Sequence, residues 1–514
     1  MEVTESLAAA LQHLRYPDRA RTIWVDAICI NQGINSEKNH QVALMGGIYS
    51  QAQRTLAWLG AADDDVAERA FNYVSRLDAY LRSHLEDYET KKLGLEPINV
   101  PNRILTELSV SWLPGLYEAL GPLFASPWFH RLWVVQEIVL AKYVVLIFGT
   151  RTIFLDRLLG PVFIMGSFVV FVHCPALFDV DAFHNLFYMG VIKMRFDLVQ
   201  PHPNPSYNIL HVFRQVQNLV AADPRDMIYG LLGLGYASGF KADYTLSPEE
   251  VFRDFATWCL RSSPNNLLVL SYAGLSRSAS DWVSWVPQPY LCKIITPFSE
   301  ISHFRASGDI IERRNESTEN SWYLSGRNVL QLRGRFIDDV VKIANVSLGA
   351  DLVGARPALT NIIKIAKCSI TSLANERYKK LCWAMTCEVD VWRRRAPPEQ
   401  VEWAHHCFQA VLNDRRIEGK DQSVEYFAAI WRVYARRFAH CWFCVTSNNR
   451  FAWVPKIAQS SDKVCIILGA NVPFVLRPRR DGQFVLVGEC WIQGFMEGEA
   501  LSLPGFEWEE ISLV

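Results

Sequence analysis

Neither acids nor bases are in excess in this chain. Across 514 residues, 52 Lys and Arg offset 53 Asp and Glu, for a formal net charge of −1. That balance gives no electrostatic case for a nucleic-acid or anionic-membrane partner. Basic clusters at Arg393–Arg395 and Arg477–Arg480 read as solvated surface. No apolar run reaches the length of about twenty residues that a membrane span requires. Leu158–Val172 comes nearest, but Gly160-Pro161 interrupts its start, so it reads as a buried helix. The N-terminus, Met1–Leu14, carries acids and no basic region, which excludes a secretory signal there. The twelve Cys follow no repeating spacing and read as reduced thiols of a cytoplasmic protein. Cys441-x-x-Cys444 has no second pair at zinc spacing, so no metal site is expected. Phosphate loop, nucleophile elbow, zinc His/Glu pair and solenoid repeat are all absent.

What remains is apolar and aromatic. Half of the residues are hydrophobic and 17 are Trp, enough for large cores, and the length calls for two or three domains. Residues 1–150 read as an α/β domain. A helix over Ser6–Arg15 precedes a strand at Thr22–Ile30. A helix capped by Ser36 follows, with Val42, Met45, Ile48, Tyr49 and Ala52 on one stripe. A second strand spans Thr55–Leu59, a polar helix Asp63–Glu89, and a third strand Tyr143–Phe148. Between the last two, Ser126-Pro127 gives start signals for a helix running to Ala141. Such alternation predicts a parallel sheet covered by helices. Residues 151–320 read as helical, and residues 321–514 as α+β, with a helical insert over Pro357–Arg437 and strands joined by tight turns over Val464–Trp491.

Two segments carry candidate chemistry. Ile23-Trp24-Val25-Asp26-Ala27-Ile28-Cys29-Ile30-Asn31-Gln32 places polar side chains at the end of an apolar run. In open α/β sheets ligands bind beyond the carboxyl ends of strands, which makes Asn31 and Gln32 substrate-binding candidates. The plainer reading of Asn31 is a loop cap, of Asp26 a structural hydrogen-bond partner, and of Cys29 a small core residue. In Arg131-Leu132-Trp133-Val134-Val135-Gln136-Glu137, Trp133 and Glu137 stand one helical turn apart and share a face. An acid among Val135, Ile138 and Val139 is costly to bury without a partner or a role; the alternative is an exposed or purely structural acid. Further on, Asp223-Pro224-Arg225-Asp226 reads as architectural, with Arg225 suited to a bidentate pair joining domains.

These segments resemble the fungal heterokaryon incompatibility (HET) domain, whose hallmarks look like W-I/V-D-A-I-C-I-N-Q and R-x-W-x-x-Q-E. Further similar segments follow in order: Tyr49-x-x-Ala52 through Trp58-Leu59-Gly60, Asp223–Leu234, Asp243-Tyr244, Ser284–Pro287 and Gly488–Glu499. Members of the family usually begin with an additional strand, so the resemblance implies that the first strand of the sheet is lacking here. It also implies a distant likeness to TIR domains, which have a flavodoxin-like fold. Some TIR domains hydrolyse NAD with a glutamate in a W-C-x-x-E-like segment. On that resemblance Glu137 is the expected catalytic residue, with Trp133 beside it as a substrate-binding wall, and no bound cofactor. The implied role is non-self recognition leading to cell death, with self-association or another incompatibility protein as partner and NAD as substrate. A non-catalytic oligomerising module and an inactive truncated paralogue are the alternatives.

Overall fold

The computed structural model describes residues 3–85, 88, 100–168, 178–198, 205–262, 267–274, 282–288, 297–301, 304–308, 321–344, 356–368, 373–389, 395–413 and 440–514. The ends of two expected helical stretches, 169–172 and 414–437, lie outside these residues, as do parts of Asp63–Glu89 and Arg393–Arg395. The chain forms two compact units, Met1–Phe255 and Ala256–Val514.

The first unit is built on a three-stranded sheet in the order β1 (Thr55–Gly60), β2 (Val144–Phe148), β3 (Arg151–Phe154). β1 and β2 run parallel, with Thr55 opposite Val144 and Trp58 opposite Ile147. β3 returns antiparallel after a two-residue turn. Every residue of β2 is buried, as its unbroken apolar sequence demands of a central strand. Helices complete the unit: α1 (Glu5–Leu14), α2 (Asp26–Cys29), α3 (Asn35–Gln51), α4 (Asp64–His84), α5 (Leu113–Phe124), α6 (Val134–Val139), α7 (Leu155–Phe168), α8 (Val180–Leu198), α9 (Pro205–Gln215) and α10 (Asp226–Leu232). α4 lays Ala67, Ala70, Phe71, Val74, Leu77 and Leu81 against α5 and α7. Among the described residues no helix is long and apolar enough to cross a membrane.

Two expectations are corrected. Thr22–Ile30 is not a strand. Val25 is extended, but Asp26–Cys29 winds into one helical turn, with Cys29 N–H bonded to Val25 O at 2.8 Å and Ile30 N–H to Asp26 O at 3.1 Å. A short apolar run fits either state, and here no described strand takes its backbone groups, so they turn to local partners. Cys29 is consequently exposed rather than a core residue. The helix expected over Ser126–Ala141 is also interrupted. Ser126 does cap a start, accepting from Trp128 N–H at 3.4 Å, but Pro127–His130 is a 3₁₀ turn and Arg131 is extended. A distant segment causes the break: Leu132 N–H bonds Val220 O at 3.0 Å, and Val220 N–H bonds His130 O at 2.6 Å.

In the second unit, β5 (Val329–Ala344) is long enough to serve two sets of neighbours. β4 (Trp322–Ser325) pairs with its first half. β5, β12 (Glu509–Leu513), β10 (Phe484–Glu489), β9 (Phe474–Pro478) and β8 (Lys463–Ile467) follow one another, and β8 pairs back onto β5, closing a ring. β6 (Cys441–Thr446), β7 (Phe451–Pro455) and β11 (Trp491–Ile492) extend from the far half of β5. The pairs within Val464–Trp491 are antiparallel as expected, and Gly482 takes positive φ in the turn Asp481-Gly482. Cys444 is buried in β6, which pushes its thiol up to about 12, and no metal-holding cluster occurs among the described residues. The insert supplies α11 (Arg356–Ala366), α12 (Glu376–Ala384) and α13 (Gln400–Leu412). Trp453 of β7 fixes α12 by donating to Ala384 O at 2.7 Å.

One close approach in the first unit has a measurable consequence. Gly46, inside α3, meets Gly233 backbone to backbone: a Cβ on Gly46 would lie 2.9 Å from both Gly233 Cα and O. Replacing glycine by alanine in a helix interior ordinarily stabilises by about 0.5–1 kcal/mol. Here the sign reverses, because neither backbone can yield. Gly46→Ala is expected to destabilise by about 2 kcal/mol, read as a lower urea midpoint; an unchanged or higher midpoint would show that α3 and the Gly233 turn separate freely.

Candidate functional site

The interruption at Arg131 builds the site. Along a continuous helix, nine residues make two and a half turns, so Trp128 and Glu137 would face opposite ways. The break folds Trp128 back, and its indole N–H donates to Glu137 Oε2 at 3.0 Å. The guanidinium of Arg131 lies 3.9 Å from Asp26 Oδ2, a consequence of the turn that Asp26 begins. Tyr49, from α3, closes the group, and its ring meets Trp24 edge to face with centroids 5.9 Å apart. Three segments thus bring two carboxylates, one guanidinium, a phenol and two indoles into one place.

Its electrostatics follow from burial. Desolvation raises the Glu137 carboxyl above its ordinary 4.5; Arg131 and the Trp128 hydrogen bond oppose this, and Asp26 adds to it. Tyr49 is pushed far up, first by burial and then by Glu137 and Asp26, so it is a neutral hydroxyl at any physiological pH. Since the folded-state value of Glu137 exceeds the unfolded one, the native state holds this proton more tightly. Its effect on stability is therefore a loss as pH rises through the window opening at about 4.5. Glu137→Gln keeps an oxygen for Trp128 and removes the charge. The variant is expected to melt above wild type at pH 7 and together with it near pH 4; a variant that melts lower at pH 7 would mean that the ionised carboxylate stabilises the fold.

Trp133 and Glu137 remain one turn apart, with Glu137 N–H reaching Trp133 O at 3.4 Å, but their side chains serve different partners. The Trp133 indole donates to Asp226 Oδ2 at 3.2 Å. Tyr244 donates its hydroxyl to the other oxygen of Asp226. Gln136, between them, donates to Gly230 O at 2.9 Å. Asn31 accepts from Gly33 N–H at 3.1 Å, an Asx turn, while its own N–H goes to Glu37 Oε1 at 2.9 Å. Gln32 is exposed beside it. Asp26 accepts from Ala27 N–H at 2.7 Å. The interactions of Glu137 are with Trp128, Arg131, Asp26 and Tyr49; none is with Asn31 or Gln32.

Asp223–Asp226 forms an adjoining scaffold. Arg225 makes a bidentate pair with Asp223, at 2.9 and 2.7 Å, and donates to Tyr244 O and Leu246 O at 2.8 and 2.7 Å. Burial would raise Asp223, but the Arg225 hydrogen bonds and charge, with Lys38, hold it below the usual carboxylate range. Asn35 and Asn39 of α3 clasp the backbone of Tyr244, and Lys38 lies 3.7 Å above its ring. The motif is architectural, and it joins α3, α6 and α10 within the first unit.

The sequence marks Glu137 but not its surroundings. Tyr49 and Arg131 were inside recognised segments, yet nothing in the spacing says that they meet. Trp128 carried no signal at all, because the expected unbroken helix points it away.

The comparisons with known proteins follow the same division. A family described as "Heterokaryon incompatibility protein (HET)" matches residues 1–137, and one described as "Het-6 beta-barrel domain" matches residues 390–504. The first of these matches holds the segments Ile23–Gln32 and Arg131–Glu137. Over 594 aligned residues the chain is 24% identical to "Heterokaryon incompatibility protein 6, OR allele" of Neurospora crassa, covering 97% of this chain and 85% of that protein. No solved structure matches.

Proposed function

We propose that this protein acts in heterokaryon incompatibility, as its HET domain and its Neurospora relative suggest, and that the domain hydrolyses NAD at Glu137 on a TIR-like frame. The carrying observation is a half-buried carboxylate, raised by desolvation, with Trp128, Tyr49, Asp26 and Arg131 around it. In hydrolysis the C1′–N bond of the nicotinamide riboside breaks and its electron pair passes to the pyridinium nitrogen, which becomes neutral. Water attacks C1′ and releases a proton, giving nicotinamide and ADP-ribose. Both the pyridinium and the oxocarbenium-like transition state are cationic. A carboxylate partly withdrawn from water interacts with them more strongly than a fully solvated one, and their arrival favours its ionised form. The rings of Trp24 and Tyr49 offer apolar edges to the nicotinamide. Arg131, beside Asp26, suits a phosphate or ribose oxygen.

A second reading rests on one observation: Trp128 already occupies one oxygen of Glu137, and Trp133 is tied to Asp226. On that reading the motif is a buried clasp, and the domain signals by assembly. NAD consumption by clustered full-length protein, wild type against Glu137→Ala, separates the two. The catalytic reading expects depletion by wild type only. Cell death with NAD unchanged in wild type, and persisting in Glu137→Ala, sinks it.

A further inference from the structure

The first sheet also carries a cavity of about 500 Å³ that the reading above does not use. Topology places it. β1 and β2 are parallel, so Arg54, just before β1, and Tyr143, just before β2, come to one edge of the sheet. β3 runs back, so Phe154, at its end opposite Val145, reaches the same edge. α7 begins at once and brings Asp156 and Arg157, while α4 ends there and brings Arg82. This is the amino end of the parallel strands, opposite the carboxyl end where α/β sheets ordinarily bind ligands.

Two features mark it as built rather than incidental. The first is a buried anchor: Asp78 of α4 is fully buried and holds Arg82 at 2.9 Å and Arg157 at 3.5 Å, with Tyr88 donating to its other oxygen at 3.0 Å. The Arg157 side chain, held by Asp78 and still exposed beyond it, loses less freedom on gripping an anion. The second is a pair of aromatic rings left in solvent where a core would take them: Tyr143 is 49% and Phe154 55% exposed. Three guanidiniums against Asp78 and Asp156 leave a positive excess, and two rings stand beside it.

We infer that this cavity binds a small molecule carrying both a planar ring and phosphate, a purine nucleoside diphosphate in class, with Arg54 and Arg157 on the phosphates and Tyr143 and Phe154 against the base. Arginine forks match phosphate oxygens two at a time, and aromatic faces stack on any base. The volume suits one such molecule. An acidic polypeptide would use the charges but not the rings.

The experiment is a titration of the full chain with ADP, by calorimetry and by the shift in melting temperature, beside adenosine, pyrophosphate and a polyglutamate peptide. ADP is expected to bind more tightly than either of its parts, with affinity falling as salt rises. Arg54→Ala and Phe154→Ala should each weaken ADP about tenfold. Arg157→Lys, which keeps a charge opposite Asp78, should weaken it less than Arg157→Ala. Pyrophosphate should respond to the arginine variants and ignore Phe154→Ala. Glu137→Ala should leave ADP binding here intact, so failure of the hydrolase reading and failure of this one are told apart. The inference is overturned if millimolar ADP does not bind, or if its binding survives both Arg54→Ala and Phe154→Ala. Loss of ADP binding in Glu137→Ala would place the ligand at the other site. Polyglutamate binding as tight as ADP and indifferent to Phe154→Ala would assign the patch to an acidic partner.

Discussion

Glu137→Ala is expected to cut NAD turnover by the clustered protein at least a hundredfold while leaving the fold in place. Removing one electrostatic stabiliser aimed at developing charge costs about 2–4 kcal/mol of barrier, and each 1.36 kcal/mol is about tenfold in rate. The pyridinium is cationic already in the bound substrate, so the share of the loss that falls on kcat is the share owed to the ribose cation, which develops only in the transition state. The side chain is half-buried with one hydrogen bond, from Trp128, so its removal opens no large core cavity. Circular dichroism and melting should therefore stay near wild type. Glu137→Gln tests charge apart from shape: it retains an acceptor for Trp128 and should be as inactive as alanine. Activity retained in Glu137→Gln would reduce the role of Glu137 to holding Trp128.

The second large effect is on stability. Asp226→Ala is expected to destabilise the first unit by about 2–4 kcal/mol, because a buried and a partly buried donor lose their acceptor at once and each unsatisfied group costs about 1–3 kcal/mol. The donors are the Trp133 indole, at 3.2 Å, and the Tyr244 hydroxyl. Burial raises the Asp226 carboxyl, the Tyr244 hydrogen bond opposes that, and Asp223 raises it further. Asp226→Asn keeps one acceptor oxygen and turns an amide toward the other donor, so its loss should be about half that of alanine. Urea denaturation of the three proteins at pH 7 checks the order. Equal midpoints for Asp226→Ala and wild type would mean that water reaches both donors, and that the clasp joining α3, α6 and α10 contributes little.

The two effects depend on tertiary structure in different degrees, which separates what was legible in the sequence. The parallel pair β1 and β2, the antiparallel ladders of β8, β9 and β10, and the helical insert were readable, because each follows from local periodicity and turn residues. The aspartate–proline–arginine–aspartate motif was readable as architecture for the same reason: Arg225 finds Asp223 two residues away. Glu137 was readable as an acid that an apolar helix does not accept without cause. Thr22–Ile30 was not, since an apolar run of strand length becomes a strand only when a neighbour accepts its hydrogen bonds, and that neighbour is not written in the run.

The surroundings of Glu137 were decided by a contact across nearly ninety residues. Val220 takes the backbone groups of His130 and Leu132, the helix breaks at Arg131, and Trp128 turns back to the acid. Local propensity favours the unbroken helix by tenths of a kcal/mol per residue, and tertiary hydrogen bonds override that. The same holds for the arginine cavity. Arg54, Arg82, Tyr143, Phe154 and Arg157 span about a hundred positions, and only the direction in which each strand enters the sheet brings them to one edge. Sequence alone determined which residues are apolar, which turns are tight and which acid is out of place. Tertiary structure decided what each polar side chain meets, because a hydrogen bond or an ion pair is set by distance in space, and distance in space is fixed by strand order and by where helices break.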